Sequence, residues 1–236
     1  MKKIAFLLGD PEYSSHLSMP PLAADVARRH GYQATLCLSS LVPDEPLFAL
    51  SEFAHLAALA DADLMVVYTR FRHLPDWQME AIQSYLSSGR AVVGLRTSTH
   101  AFHFPADSPW QAWNDGFGRD VFGTPWISHH GHSSRTDVSI LPQASTHPIL
   151  RGVDGQFRLR SWLYHVLPLA KPCQPLLWGV PVEPECPGQE NPVAWTTEHN
   201  RARVFFTTLG HPDDFANPSF QTLLTNGIRW ALGDLG

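Results

Sequence analysis

The sequence predicts a three-layer α/β fold, doubly wound around a mainly parallel sheet. Three observations carry this. Short apolar runs alternate with segments of helical spacing through the first hundred residues. Those runs are continuously apolar, as strands covered on both faces must be. Right-handed crossovers between such strands place helices on the two sides of the sheet.

Taken in order, "KIAFLL" (3–8) reads as the first strand. "PPLAADVARRHG" (20–31) reads as a helix with paired prolines near its start and Gly31 as its C-terminal stop. "QATLCL" (33–38) is the second strand, "LFALSEFAHLAALA" (47–60) has helical spacing, and "DLMVVYT" (63–69) is the third strand. "DWQMEAIQSYLSSG" (76–89) is an amphipathic helix ending at Gly89, followed by the strand "AVVGL" (91–95). From 103 to 190 the pattern is less regular and most prolines fall there. A helix is expected within 108–123, with strands at 136–141 and 174–180. Strands return at "PVAWTT" (192–197) and "RVFFTT" (203–208), and a last helix spans 218–232 with Asn217 as N-cap and Pro218 in its first turn. There is no internal repeat or linker, so one domain over 1–236 is expected.

Composition narrows the function. The 236 residues are 44% hydrophobic and 17% charged, an ordinary globular balance. A formal charge of −5 without basic blocks gives nucleic acid no attractive surface. The apolar run after Lys3 is too short for a signal peptide, and no segment reaches the roughly 18 apolar residues of a membrane span. Cys37, Cys173 and Cys186 form no CxxC pair, which suits a reducing cytoplasm and indicates neither a disulfide framework nor a zinc ribbon. "LLGDPEYSSH" after the first strand lacks a G-x-G-x-x-G fingerprint, so no dinucleotide cofactor is expected.

Ligands of open α/β sheets bind beyond the carboxyl ends of the strands, where strand order reverses. Two polar segments surface there: Arg96-Thr97-Ser98-Thr99-His100 after the fourth strand, and "TTLGHPDDF" (207–215) after the last strong one. Ser98 or Thr97 is the only oxygen nucleophile of the first turn. The alternative is that Thr97, Ser98 and Thr99 cap a following helix. Arg96, leaving a buried strand, calls for an anionic or carbonyl partner. In the second segment His211 is followed by Asp213 and Asp214. One carboxylate would orient the imidazole and raise its pKa, as a general base requires; the competing reading is ordinary turn chemistry. His129, His130 and His132 offer imidazoles either to a metal or to sugar hydroxyls, although no further ligand completes a metal set. Tyr164 and Trp195 are candidate stacking faces, with core packing as the plainer reading of Trp195.

"NPVAWTTEHNRARVFFTTLGHPDDFANPSFQTLLTNGIRWALG" strongly resembles the carboxyl-terminal signature of ThuA-like (trehalose-utilisation) proteins, and "GLRTSTHAF", "STHPILRGV" and "SWLYHV" resemble further segments of that family. The resemblance implies a flavodoxin-like, class I glutamine amidotransferase-like fold. It also implies a disaccharide substrate such as trehalose, or its 3-keto form. In the amidotransferases the turn after this strand carries the catalytic cysteine; "LRTSTH" has none, so the turn is expected to hold a polar ligand instead. Two departures stand out: Ser161-Trp162-Leu163 replaces an acidic pair of many relatives, and Arg96 stands where many have histidine.

The leading expectation is therefore a cytoplasmic sugar-processing enzyme without cofactor or metal. His211 acts as acid/base with Asp213 or Asp214, while Arg96, Thr97, Ser98, His100, His129, His130, His132, Tyr164 and Trp195 bind the sugar. The alternatives are a non-catalytic sugar-binding or regulatory partner of a separate sugar oxidoreductase, and a metal-dependent hydrolase using the 129–132 loop. A homo-oligomer is compatible with each.

Overall fold

The computed structural model describes residues 1–40, 49–131, 133–182 and 189–236. Its strands are β1 (Lys3–Gly9), β2 (Gln33–Leu38), β3 (Leu64–Thr69), β4 (Ala91–Leu95), β5 (Ser128–His129), β6 (Thr136–Ile140), β7 (Gln156–Leu159), β8 (Tyr164–His165), β9 (Gln174–Pro181), β10 (Asn191–His199) and β11 (Ala202–Thr207). Its α-helices are α1 (Ser15–His30), α2 (Asp76–Ser87), α3 (Trp113–Phe117) and α4 (Pro218–Ala231).

Nine strands form one sheet in the order β2-β1-β3-β4-β11-β10-β9-β6-β7, while β5 and β8 pair separately. From β2 to β11 every pairing is parallel; beyond β11 every pairing is antiparallel. The parallel half thus has the flavodoxin-like order, with its reversal beside β1.

Alternation along β1 shows how both faces are covered. Ile4, Phe6 and Leu8 enter a core with Met19 and Val26 of α1 and with Leu223 and Ile228 of α4. Ala5 and Leu7 enter the opposite core with Met79 and Ile82 of α2 and Phe117 of α3. Opposite-pointing neighbours on each strand make the three layers.

The long helix α4 is capped as its sequence indicates, Asn217 Oδ1 accepting from the Ser219 and Phe220 amides. Gly227 lets α4 approach β11, since a Cβ there would lie 2.3 Å from the Phe205 ring. Gly227→Ala should therefore destabilise the protein by about 1–3 kcal/mol from overpacking, despite a gain of about 1 kcal/mol in helix propensity. Thermal unfolding checks the sign; a raised Tm would contradict the packing argument.

Two expectations need correction. Helix α1 begins at Ser15 rather than near Pro20, so both prolines lie inside it. Its first turn is made by Ser14, whose carbonyl accepts from the amides of Leu17 and Ser18. The helix expected over 47–60 is absent from its described part, 49–60, except for a 3-10 turn at Leu56–Ala60. Residues 47 and 48 lie outside the described ones. Phe53 instead bridges to Ser39, and Gln78 clamps it by accepting from its amide and donating to its carbonyl. Those bonds replace the ladder a helix would have used.

Candidate functional site

Strands β1, β3, β4 and β11 end on one edge of the sheet, and Arg96 follows β4 directly. Its φ of 45° is left-handed, a conformation that costs energy for any residue with a Cβ. The backbone thus keeps the strained strand-to-turn bend of a nucleophile elbow, but with arginine at its apex. The guanidinium is fully buried. Nη1 donates to the carbonyls of Thr208 (3.0 Å) and Trp162 (3.5 Å), and Nη2 donates to Tyr13 Oη (3.0 Å). Its central carbon lies 4.2 Å from the Tyr13 ring centre, 4.7 Å from that of Tyr164 and 5.7 Å from that of Trp162. Aromatic faces and carbonyl dipoles, rather than a carboxylate, compensate this buried cation. The carbonyl partner that an emerging arginine calls for is present twice.

Around Arg96 the separate loops form a continuous path of ring contacts. His100 meets Trp126 at 4.8 Å between centroids, Trp126 meets His129 at 5.7 Å, and His129 meets Trp162 at 5.1 Å. Trp162 and His211 each lie 6.0 Å from Tyr13. The short pair β5–β8 sets His129 opposite Tyr164, whose rings stack at 6.4 Å. Segments 96–100, 126–129, 162–164 and 208–214 therefore meet over the sheet edge.

His211 is the N-cap of a 3-10 turn, Pro212–Ala216. Its Nδ1 accepts from the Asp213 amide at 3.2 Å, so the neutral ring carries its proton on Nε2. Burial holds its pKa below the ordinary histidine value despite the raising influence of Asp214 and Asp213. This corrects the expected rise: desolvation outweighs the carboxylates, and the ring is a neutral donor through Nε2. Asp213 is mostly exposed, its carboxylate 3.7 Å from Nδ1. Asp214 is buried and accepts from the amides of Arg160, Ser161, Gly210 and His211 and from the Ser161 hydroxyl. Its oxygens thus hold the 160–161 and 210–211 segments together.

Other expected ligands turn inward. Thr97 Oγ1 donates to Asp10, Ser98 Oγ donates to the Val67 carbonyl at 2.7 Å, and Thr99 Oγ1 pairs with His100 Nδ1 at 3.0 Å. These hydroxyls are buried and bonded inward, within a 3-10 turn over Arg96–His100 that no α-helix directly follows. Trp195 is sealed in the core, donating to the Phe122 carbonyl and packed on Phe206, because its position on β10 faces α3. His130 is buried with its ring 4.1 Å from that of His165, on the far side of the β5–β8 ribbon from His129. His132 lies outside the described residues, as does Cys186. Among the described residues no three His, Cys, Asp or Glu side chains are placed to hold a metal ion.

Sequence reasoning missed Asp10, Tyr13, Trp126 and Trp162. The first two had a readable signal: "GDPEY" surfaces directly after β1, beside the reversal of strand order. Asp10 is fully buried; burial raises its pKa, opposed by its bond from Thr97 and by the Tyr13 amide.

Burial also lowers the His100 pKa to about 3, assisted by the charges of Arg70 and Arg96. The folded ring stays neutral while the unfolded one protonates below pH ~6.5. Stability is therefore lost as pH falls from there toward 3, by up to about 1.4 kcal/mol per pH unit from this residue. The lowered pKa values of His130, His147 and His199 act in the same direction, and the raised Asp10 opposes them. In His100→Phe the stability difference between pH 7 and pH 5, measured by urea unfolding, should shrink by about 2 kcal/mol. An unchanged difference would contradict a neutral, buried His100.

The fold and this edge define a class: α/β proteins with a mostly parallel sheet of flavodoxin-like strand order, here with arginine in the turn after β4. A sequence model described as "ThuA: Trehalose utilisation" matches residues 16–231, and the chain belongs to that family. Among solved structures it resembles a putative ThuA-like protein from Parabacteroides merdae, with TM-score 0.69 and 16% identity over 99% of this chain and 91% of the other. A putative ThuA-like protein from Bacteroides uniformis gives 0.64 and 15% over 98% and 91%. A protein from Salmonella typhimurium LT2, described as cytoplasmic, gives 0.53 and 11% over 95% and 97%. No match was found among proteins of curated function. Among the described residues, no helix is long and apolar enough to cross a membrane.

Proposed function

We propose that this protein processes a carbohydrate in the cytoplasm, a disaccharide such as trehalose or its 3-keto derivative, in the crevice floored by Arg96. The observation that carries this reading is the meeting of four separate segments around one buried guanidinium, with the half-buried Trp126 and Trp162 as aromatic walls and the buried Tyr13 and Tyr164 packed on the guanidinium behind them. Such walls suit the C–H faces of sugar rings, and the polar groups between them suit hydroxyl and carbonyl oxygens. The family description, trehalose utilisation, supports a carbohydrate as the substrate class. His211 acts as donor through Nε2–H, held by Asp213 and Asp214; Arg96 positions the walls, and His100 and His129 line the path between them.

A second reading, a non-catalytic sugar-binding partner of a separate oxidoreductase, has one observation in its favour. The buried carboxylates of the crevice, Asp10 and Asp214, have their oxygens engaged by protein donors, which leaves no ready base. Calorimetry with trehalose and 3-keto-trehalose, with product analysis on the same samples, tests both. Binding with product formation supports the enzyme and binding without product supports the partner. No binding of either sugar contradicts both.

A further inference from the structure

We propose that Tyr13 is a ligand-binding donor that acts beside His211 on an sp2 or anionic oxygen, a carbonyl, enolate or carboxylate rather than a hydroxyl. The inference rests on the crevice being the binding site, and it names the kind of oxygen that site takes.

Hydrogen-bond direction fixes the role of Tyr13. A guanidinium can only donate, so the Arg96 Nη2 bond obliges Tyr13 Oη to accept. The phenol proton must then go elsewhere, and no described residue accepts it. The same logic holds for His211. Its Nδ1 lone pair is taken by the Asp213 amide, so Nε2 carries hydrogen, and no described residue accepts from it. The two rings touch edge to face, with centroids 6.0 Å apart and planes at 68°. Two protein donors on touching rings thus lack acceptors among the described residues.

The electrostatics agree. Arg96 forms no ion pair with any carboxylate among the described residues, and its charge lies directly behind the Tyr13 ring. A cation hydrogen-bonded to a phenol oxygen makes that phenol a stronger donor. An sp2 oxygen offers two lone pairs and needs no acceptor in return. A hydroxyl placed there could accept too, but its own proton would lack a partner. Two such donors favour a carbonyl over the corresponding alcohol, and favour it more as negative charge develops on the oxygen.

The test uses two probes on the full chain. Acetate, an oxyanion that carries no sugar, is titrated into wild-type protein while the Nε2 resonance of His211 and the ring resonances of Tyr13 are followed by NMR. Both should shift along one saturating curve, and Tyr13→Phe, which keeps the ring, should weaken that curve at least about tenfold. In parallel, the ratio of affinities for 3-keto-trehalose and trehalose should fall by at least about tenfold in Tyr13→Phe. A general loss of stability does not move this ratio. Wild-type acetate titration that leaves either residue unshifted, or an unchanged ratio in a folded variant, overturns the proposal. Should neither sugar bind while acetate still shifts both rings, the carbohydrate reading fails and the oxygen subsite stands.

Discussion

His211→Ala is expected to lower turnover of the sugar substrate by at least about 100-fold, the range for removal of a positioned proton donor. The imidazole is partly open to solvent, its pKa is held down by burial, and its tautomer is fixed by its own backbone. The same ring caps the Pro212–Ala216 turn, so alanine also costs about 1 kcal/mol of stability, or roughly 2–4 °C in Tm. His211→Asn separates the two roles. Its amide oxygen can replace Nδ1 as the cap acceptor, so Tm should return to the wild-type value while turnover stays lost. Asparagine with wild-type turnover would show that the ring serves only as a cap.

Asp214→Ala should be the most destabilising single change near the crevice, by about 4 kcal/mol and roughly 10 °C in Tm. Alanine would strand the Arg160 and Ser161 amides and the Ser161 hydroxyl in a buried region, each costing on the order of 1 kcal/mol or more, and would leave the Gly210 and His211 amides with the Ser161 oxygen alone. It would also release the 160–161 segment, which carries Trp162, from the 210–211 segment, which carries His211. Sugar affinity should fall with stability. Asp214→Asn should lie between the two, since an amide offers one accepting oxygen where the carboxylate offers two. Chemical denaturation of the three proteins orders them; alanine within about 1 kcal/mol of wild type would contradict the account of Asp214 as the clamp.

Periodicity made the parallel half of the fold legible, because strands buried on both faces must be apolar throughout. "AVVGL" appears as β4 with the expected ends, and Asn217 caps α4 as its position implies. The antiparallel half was harder. Strand β7 and the two-residue β5 and β8 carry too little pattern to rise above the loops around them. The candidate site was legible in outline, since strand ends concentrate polar groups. What the sequence could not convey was direction. Thr97 and Ser98 look like ligands until their hydroxyls are seen bonded inward, and Asp214 looks like the partner of a base until its five donors are counted. Trp162 was passed over because its neighbours suggested a lost acidic motif, yet its ring and carbonyl both contact Arg96.

The most direct measurement is a crystal structure of the protein soaked with 3-keto-trehalose and, separately, with trehalose. The sugar should lie over the carboxyl ends of β1, β4 and β11, with one oxygen against His211 Nε2 and a ring face on Trp162 or Trp126. Sugar density in the groove of about 670 Å³ between α1 and α4, lined by Leu17, Pro21, Phe215 and Thr222, with none above Arg96, would contradict the account.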